Sequence, residues 1–322
     1  MSPEARTRTI ARRFALLGVL AALMVAGFML LGVRGNWGFV LPFRATKLAG
    51  LVLVAVAVGA ATVVFQTITN NRILTPSIMG FDALYILLQT ALVFSLGSMQ
   101  TSALDARLTF LAETAMLLVF GGLLYRWLFG ATARSLHLLL LVGIVLGVFF
   151  RSISGLLQRI MDPGEFLVLQ DRMFASFNTV NHELLVLAAL IVGGVCLLLG
   201  RMHRVLDVLA LGREAAIGLG VAHARMGALS LGLVTVLVAV STALVGPISF
   251  FGLLVANLAY LIFPTARHAV LLPAASLLGV VALVGGQTVL ERVLGHDTAL
   301  SVVIEFIGGI VFILLVMRGG AR

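Results

Sequence analysis

Four ionisable side chains, Asp82, Glu113, Arg151 and Glu305, stand inside otherwise apolar stretches of the chain. A charge in such surroundings is costly, so it marks either a helix-to-helix pair or the wall of a water-filled passage. Glu113 and Glu305 each fall near one end of their apolar run, where a cavity could open to them, and Arg151 has the sign to pair with either. The four do not form a linear array of the kind that relays protons. Other chemistry is poorly supplied. No GxxxxGK[ST] stretch is present to cradle a nucleotide phosphate. Asn181-His182-Glu183 begins like the zinc motif HExxH, but Val186 stands where its second histidine would be. His137, His203, His223, His268 and His296 are scattered near the ends of apolar runs without ligand spacing. Cys196 is the single cysteine, which rules out an internal disulfide and a cysteine-ligated metal. No Ser-His-Asp arrangement is suggested by position. A catalytic site, a metal site and a cofactor bound by this chain are therefore not expected.

The elements that would position those residues follow from composition. Of the 322 residues, 61% are hydrophobic and 11% charged, whereas soluble domains carry about 25% charged residues. A water-facing surface cannot be built from this list. At about 20 apolar residues per membrane-spanning helix, ten spans are predicted, at 14–33, 48–69, 77–97, 108–127, 136–154, 184–200, 226–245, 248–263, 269–288 and 300–317. The first follows basic residues as a signal peptide does, but its length suits a retained helix. The fold class is thus all-α, one polytopic domain over residues 1–322. Two five-span halves would be forced into opposite orientations, the geometry of an inverted repeat. The 34 glycines, many within spans, suit close helix approach. The stretch 155–182 is too polar to span and is predicted to hold a short helix on the outer face.

The net charge of +9 comes from basic residues spread along the ends of apolar runs, which is a topological pattern rather than a nucleic-acid surface. With the N-terminus in the cytoplasm, the inner side receives Arg6, Arg8, Arg12, Arg13, Arg72, Arg126, Arg134, Arg201, Arg204, Arg213, Arg225, Arg267, Arg318 and Arg322. The outer side receives Arg34, Arg44, Lys47, Arg107, Arg151, Arg159, Arg172 and Arg292, with most of Asp105, Asp162, Glu165, Asp171, Glu291 and Asp297. Both termini are therefore predicted in the cytoplasm. The inner connection 201–225 contains ALGREAAIGLGVAHAR, a charged, glycine-punctuated stretch between two apolar runs. A short helix bounded by Gly212 and Gly220 would suit docking to another protein as well as a plain connector.

Four segments resemble the iron–siderophore and cobalamin class of ABC importer permeases (the FecCD type), and the resemblance covers nearly the whole chain. QTITNNRILTPSIMG is similar to the family's Q-x(4)-N-P-L-x-x-P-x-x-L-G, with Gln66, Asn71, Pro76 and Gly80 matching and Arg72 in place of a proline. ALGREAAIGLGV with Arg225 downstream is similar to LG-x-x-A-x-x-LG. GPISFFGLLVANLAYL is similar to G-x-I-x-F-x-G-L-x-x-P-H-x-x-R, with Ala256-Asn257 for Pro-His and Tyr260 for the arginine. LLPAASLLGVVALVGGQTV through IEFIGGIVFILLV is the fourth.

The resemblance implies a non-catalytic permease subunit of an ATP-driven importer, with a second permease, identical or paralogous, completing the pathway. A dimer of cytoplasmic ATPases, which would bind the ATP, is implied to receive a coupling helix within 201–225. Leu211, Gly212, Arg213, Glu214, Ala215, Leu219, Gly220 and Arg225 are its implied contact residues. An extracytoplasmic binding protein is implied to dock its acidic residues on Arg44, Lys47 and Arg292. Gln66, Asn71, Glu113, Arg151 and Glu305 are the pathway candidates. NNRILTPSIMGFDALYILLQT and MFASFN look like the branch that imports ferric catecholate siderophores of the petrobactin or anguibactin type, in the bacterial cytoplasmic membrane. Cobalamin or haem import by the same fold, and an ion-coupled secondary transporter, stand as alternatives.

Overall fold

The computed structural model describes residues 3–33, 35–128, 136–178, 180–292 and 299–319. Arg34, Arg134, His296, Asp297 and Arg322 lie outside them. In the first half the helices are α1 (Pro3–Leu30), α2 (Trp37–Thr69), α3 (Phe81–Leu96), α4 (Ser98–Ala103), α5 (Ala106–Leu128), α6 (Leu136–Ile160) and α7 (Pro163–Met173). The second half holds α8 (His182–Arg201), α9 (His203–Leu209), α10 (Arg213–Gly218), α11 (His223–Val245), α12 (Phe251–Ile262), α13 (His268–Arg292) and α14 (Leu300–Gly319).

Among the described residues there are thus fourteen helices rather than ten. Each predicted span falls on a helix, and the four extra helices, α4, α7, α9 and α10, lie in the connections. Hydropathy registers only apolar runs, so short polar helices escape it. Among the described residues, seven helices are long and apolar enough to cross a bilayer, while α3, α12 and the apolar part of α14 are shorter. At 1.5 Å per residue, α12 reaches about 18 Å, against the ~30 Å of a hydrocarbon core. The second span begins well before its predicted start, because α2 carries Arg44 and Lys47 inside its first turns.

Local chemistry sets the helix starts. The side chain of Asn36 accepts from the Gly38 N–H at 2.8 Å to open α2, and Asp162 followed by Pro163 opens the predicted outer helix α7. Asn181 does the same for α8, accepting from the Glu183 N–H at 2.9 Å. The string that resembled a zinc motif is therefore a helix cap, and Glu183 forms an ion pair with Arg107.

The core is built around α2, which packs on α13, α11, α12 and α8. Its contact with α13 depends on small residues. A Cβ placed on Gly279 would stand 3.0 Å from the Ala55 carbonyl oxygen, and one on Gly59 would stand 3.1 Å from that of Ala275. Backbone meets backbone here, as helices do where lipid offers no hydrophobic drive for association. The two halves share an order of parts: a long, well-buried helix (α2, α11), a break containing a glycine at positive φ (Gly80, Gly246), then a short helix (α3, α12).

Candidate functional site

The 201–225 connection folds as two short helices, α9 and α10, joined by a turn at Gly212. Gly212 has φ +93°, in the region that disfavours side-chain-bearing residues, so glycine is required for the reversal. Leu206 and Leu209 of α9 and Ala216 of α10 are buried, anchoring the segment on the bundle. Its other face is open. Leu211, Ile217 and Leu219 are 62%, 56% and 63% exposed, flanked by exposed Arg213, Glu214, Ala215, Gly220 and Arg225. Ile217 on α10, with Leu211 and Leu219 just beyond its two ends, makes an unfilled apolar contact surface ringed by charge that suits a protein.

The segment is fastened to the bundle through Asp207 on α9. Its Oδ1 accepts from the His268 backbone N–H at 2.6 Å and from His268 Nδ1 at 2.7 Å. His268 Nε2 in turn lies 2.7 Å from Thr67 Oγ1 on α2. Sequence reasoning placed His268 among scattered histidines, because its partners are 61 and 201 residues away.

The three departures from the family pattern meet in one place. The Arg72 guanidinium carbon sits 4.5 Å from the centre of the Tyr260 ring. The Arg72 carbonyl accepts from Gln66 Nε2 at 2.7 Å and from Asn257 Nδ2 at 3.2 Å. Arginine in place of proline is thus matched by tyrosine in place of arginine, with Asn257 holding the loop. Asn71 secures the same loop, its Oδ1 accepting from the Ile73 N–H at 2.9 Å. Tyr260→Ala should cost about 1 kcal/mol of stability through loss of this cation–π contact, and Tyr260→Phe much less. Thermal unfolding of the purified variants in detergent measures both.

Of the intramembrane ionisable residues, Asp82 and Glu305 meet at Ser249, while Glu113 lies apart with a different partner. Glu113 is buried and accepts from Gln89 Nε2 at 2.6 Å, so the pairing with Arg151 that its sign allowed is replaced by a neutral partner. Arg151 is exposed on α6. Glu305 is half-buried and faces the Ser249 backbone N–H, while Ser249 Oγ donates to Asp82 at 2.6 Å. Ser249, in the break between α11 and α12, therefore joins Asp82 and Glu305. Glu113 also lines a cavity of about 940 Å³ with Tyr85, Gln89, Arg172, Asn178 and Gln287.

The basic residues predicted for the outer face, Arg44, Lys47 and Arg292, are mostly turned inward. Arg44 is only 8% exposed, and its Nη1 donates to the carbonyls of Phe28, Met29 and Leu31 at 3.0, 2.9 and 2.9 Å. A cation there satisfies the unpaired carbonyls at the end of α1 and suits the negative end of its dipole. Lys47 is 6% exposed, paired with Glu291 and hydrogen-bonded to Asn178. Arg44 and Lys47 share a helical face, but that face is turned into the protein. Only Arg292 of the three is exposed, with one 3.4 Å hydrogen bond to the Gly32 carbonyl.

A helical bundle with bilayer-spanning helices, half-length helices beside a break, and an open apolar surface at a glycine turn defines a multi-pass membrane transport protein. The chain belongs to the FecCD transport family, which it matches over residues 11–318. It is similar to the petrobactin import system permease protein YclO of Bacillus subtilis (strain 168), at 44% identity over 297 residues, 92% of this chain and 94% of that one. It is also similar to the petrobactin import system permease protein FatC of Bacillus anthracis, at 34% identity over 85% of this chain and 78% of that one. Its fold resembles a solved metal-chelate type ABC transporter in an inward-facing conformation, with a TM-score of 0.84 at 22% identity, covering 96% of this chain and 99% of that chain.

Proposed function

We propose that this chain is the permease subunit of an ATP-driven importer that carries a ferric siderophore, of the petrobactin class, across the bacterial cytoplasmic membrane. The observation that carries the ATP-driven reading is the exposed surface of Leu211, Ile217 and Leu219 on and beside α10, in a segment fastened to the bundle. Permease relatives at 44% and 34% identity, both named for petrobactin import, support the substrate. The chain itself does no chemistry and holds no cofactor; ATP is bound by a pair of cytoplasmic ATPases seated on α10. A second permease completes the pathway, lipid surrounds the pair, and both termini face the cytoplasm. An extracytoplasmic binding protein delivers the chelate, and Arg292 is the member of the basic set free to meet its acidic residues.

The working cycle follows from these parts. Closure of the ATPase pair moves α10, and the bundle rocks so that the passage opens to the other side. A preformed chelate asks for room and weak polar contacts rather than metal ligands. The cavity of about 940 Å³, walled by amide, phenol and carboxyl groups, suits that demand on the outer side. A secondary transporter would need a coupled-ion site, and Asp82 and Glu305 meet only across Ser249 while Glu113 stands apart with Gln89, an arrangement that does not form a relay.

The test is uptake of radiolabelled ferric petrobactin by bacterial cells lacking this chain and then regaining it. Uptake is expected to return only with the chain, to stop when cellular ATP is depleted, and to persist when the proton gradient alone is collapsed. Uptake that follows the proton gradient instead would replace this reading with a secondary transporter. Return of haem or cobalamin uptake, with petrobactin uptake unaffected, would replace the substrate.

A further inference from the structure

His268 is the first residue of α13 and is 1% exposed. It joins three elements at once. Asp207 on α9 takes both its backbone N–H and its Nδ1, and Thr67 in the last turns of α2 meets Nε2. A carboxylate only accepts hydrogen bonds, so Nδ1 carries a proton and the ring orientation is fixed from both edges. The carboxylate also stands at the start of α13, where backbone N–H groups lack partners and the helix dipole favours negative charge. Asp207 therefore grips both the side chain and the end of the helix.

The two helices gripped this way are also held together elsewhere along their length. Gly59 and Gly279 bring their backbones into contact midway, and Lys47 pairs with Glu291 at the other end. On the far side, α9 is seated by Leu206 and Leu209, and α10 follows it directly through the Gly212 turn. Force applied to α10 reaches the bundle on one side through α9 and on the other through the short 219–222 link into α11. Among the described residues, the polar connection from α9 to α2 runs through this one imidazole, and that to α13 through the imidazole and the backbone N–H beside it.

We propose that His268 is a positioning residue that latches the α9–α10 segment to the paired helices α2 and α13, so that displacement of α10 moves both together. This rests on the reading of α10 as the ATPase contact. Without the latch, α10 can follow the ATPases while the helix pair stays behind, and ATP is consumed without passage of the chelate.

The test uses the complete complex in proteoliposomes (this chain, its second permease, the ATPase pair and the binding protein) with radiolabelled ferric petrobactin. His268→Ala is expected to leave ATP hydrolysis within about twofold of the parent and to lower uptake per ATP by about tenfold, a scale usual for coupling between sites. His268→Gln, whose amide can reach Thr67 from near the position of Nε2, restores part of that loss. Thr67→Val leaves the Asp207 arm intact and gives a smaller drop of the same kind; it carries the readout should His268→Ala fail to assemble. Uptake per ATP equal to the parent in whichever of these two variants is read overturns the proposal. Leu211→Glu separates this outcome from failure of the reading beneath it. Lost ATPase assembly in Leu211→Glu alongside normal coupling without the latch sinks the latch alone. Retained assembly in Leu211→Glu sinks the coupling reading itself.

Discussion

Leu211→Glu combined with Leu219→Glu abolishes uptake and prevents the ATPase subunits from co-purifying, while the chain still inserts in the membrane. Both side chains are more than half exposed in the isolated chain, so the substitution removes nothing from its core. Each leucine contributes roughly 1.5–3 kcal/mol when fully buried against a partner. Losing both costs about 3–6 kcal/mol, a weakening on the order of a hundredfold to ten-thousandfold. Placing two carboxylates in that contact adds to the loss. Gly212→Pro reaches the same end differently, since the positive φ that turns α9 into α10 cannot be adopted by proline. Glu214→Arg, at an exposed position in the first turn of α10, reverses a charge that suits the helix start and should weaken the same association. Co-purification with the ATPases and uptake in the same cells measure all three.

Lys47→Ala produces the second large effect, and it falls on stability. The Lys47 and Glu291 side chains are 7% and 10% exposed, so removing one leaves the other buried without its counter-charge. Breaking such a pair from one side costs about 3–5 kcal/mol. Replacing both, as Lys47→Met with Glu291→Leu, should recover most of that loss, because the desolvation of two charges disappears with their attraction. Thermal unfolding in detergent, run as a double-mutant cycle, gives the numbers. The same experiment decides between two roles for the lysine. A residue reserved for docking an acidic partner would lose affinity for the binding protein and keep its stability; a clamp between α2 and α13 loses stability first.

Lys47 shows well where the sequence was readable and where it was not. Its place near the outer end of the second span followed from hydropathy and charge, and so did its position on one face with Arg44. Which way that face pointed depended on Glu291 and on the carbonyls at the end of α1, and nothing local encodes either. The ten apolar helices were legible for the same reason: each is a contiguous run whose composition must match lipid. The short helices α4, α9 and α10 carry no such signature, although Gly212 and Gly220 did bound α10 correctly. Contacts between distant residues were the hidden part. Arg72 and Tyr260 were visible separately as departures from a pattern, yet only their juxtaposition shows that one answers the other. Glu113 stood out as an acid within an apolar run, whereas nothing local singles out its amide partner Gln89. His268, the most consequential of these, gave no signal beyond being a histidine near a helix start.

The proposed cycle requires α10 to face the cytoplasm and to be covered by the ATPases. Its most direct test introduces a single cysteine at the exposed position 217 (Ile217→Cys) in a chain whose native thiol is removed by Cys196→Ala. A membrane-impermeant maleimide is then applied to sealed vesicles of each orientation. Labelling only from the cytoplasmic side, with protection when the ATPase pair is bound, is the predicted result. Labelling from the outer side would contradict the account.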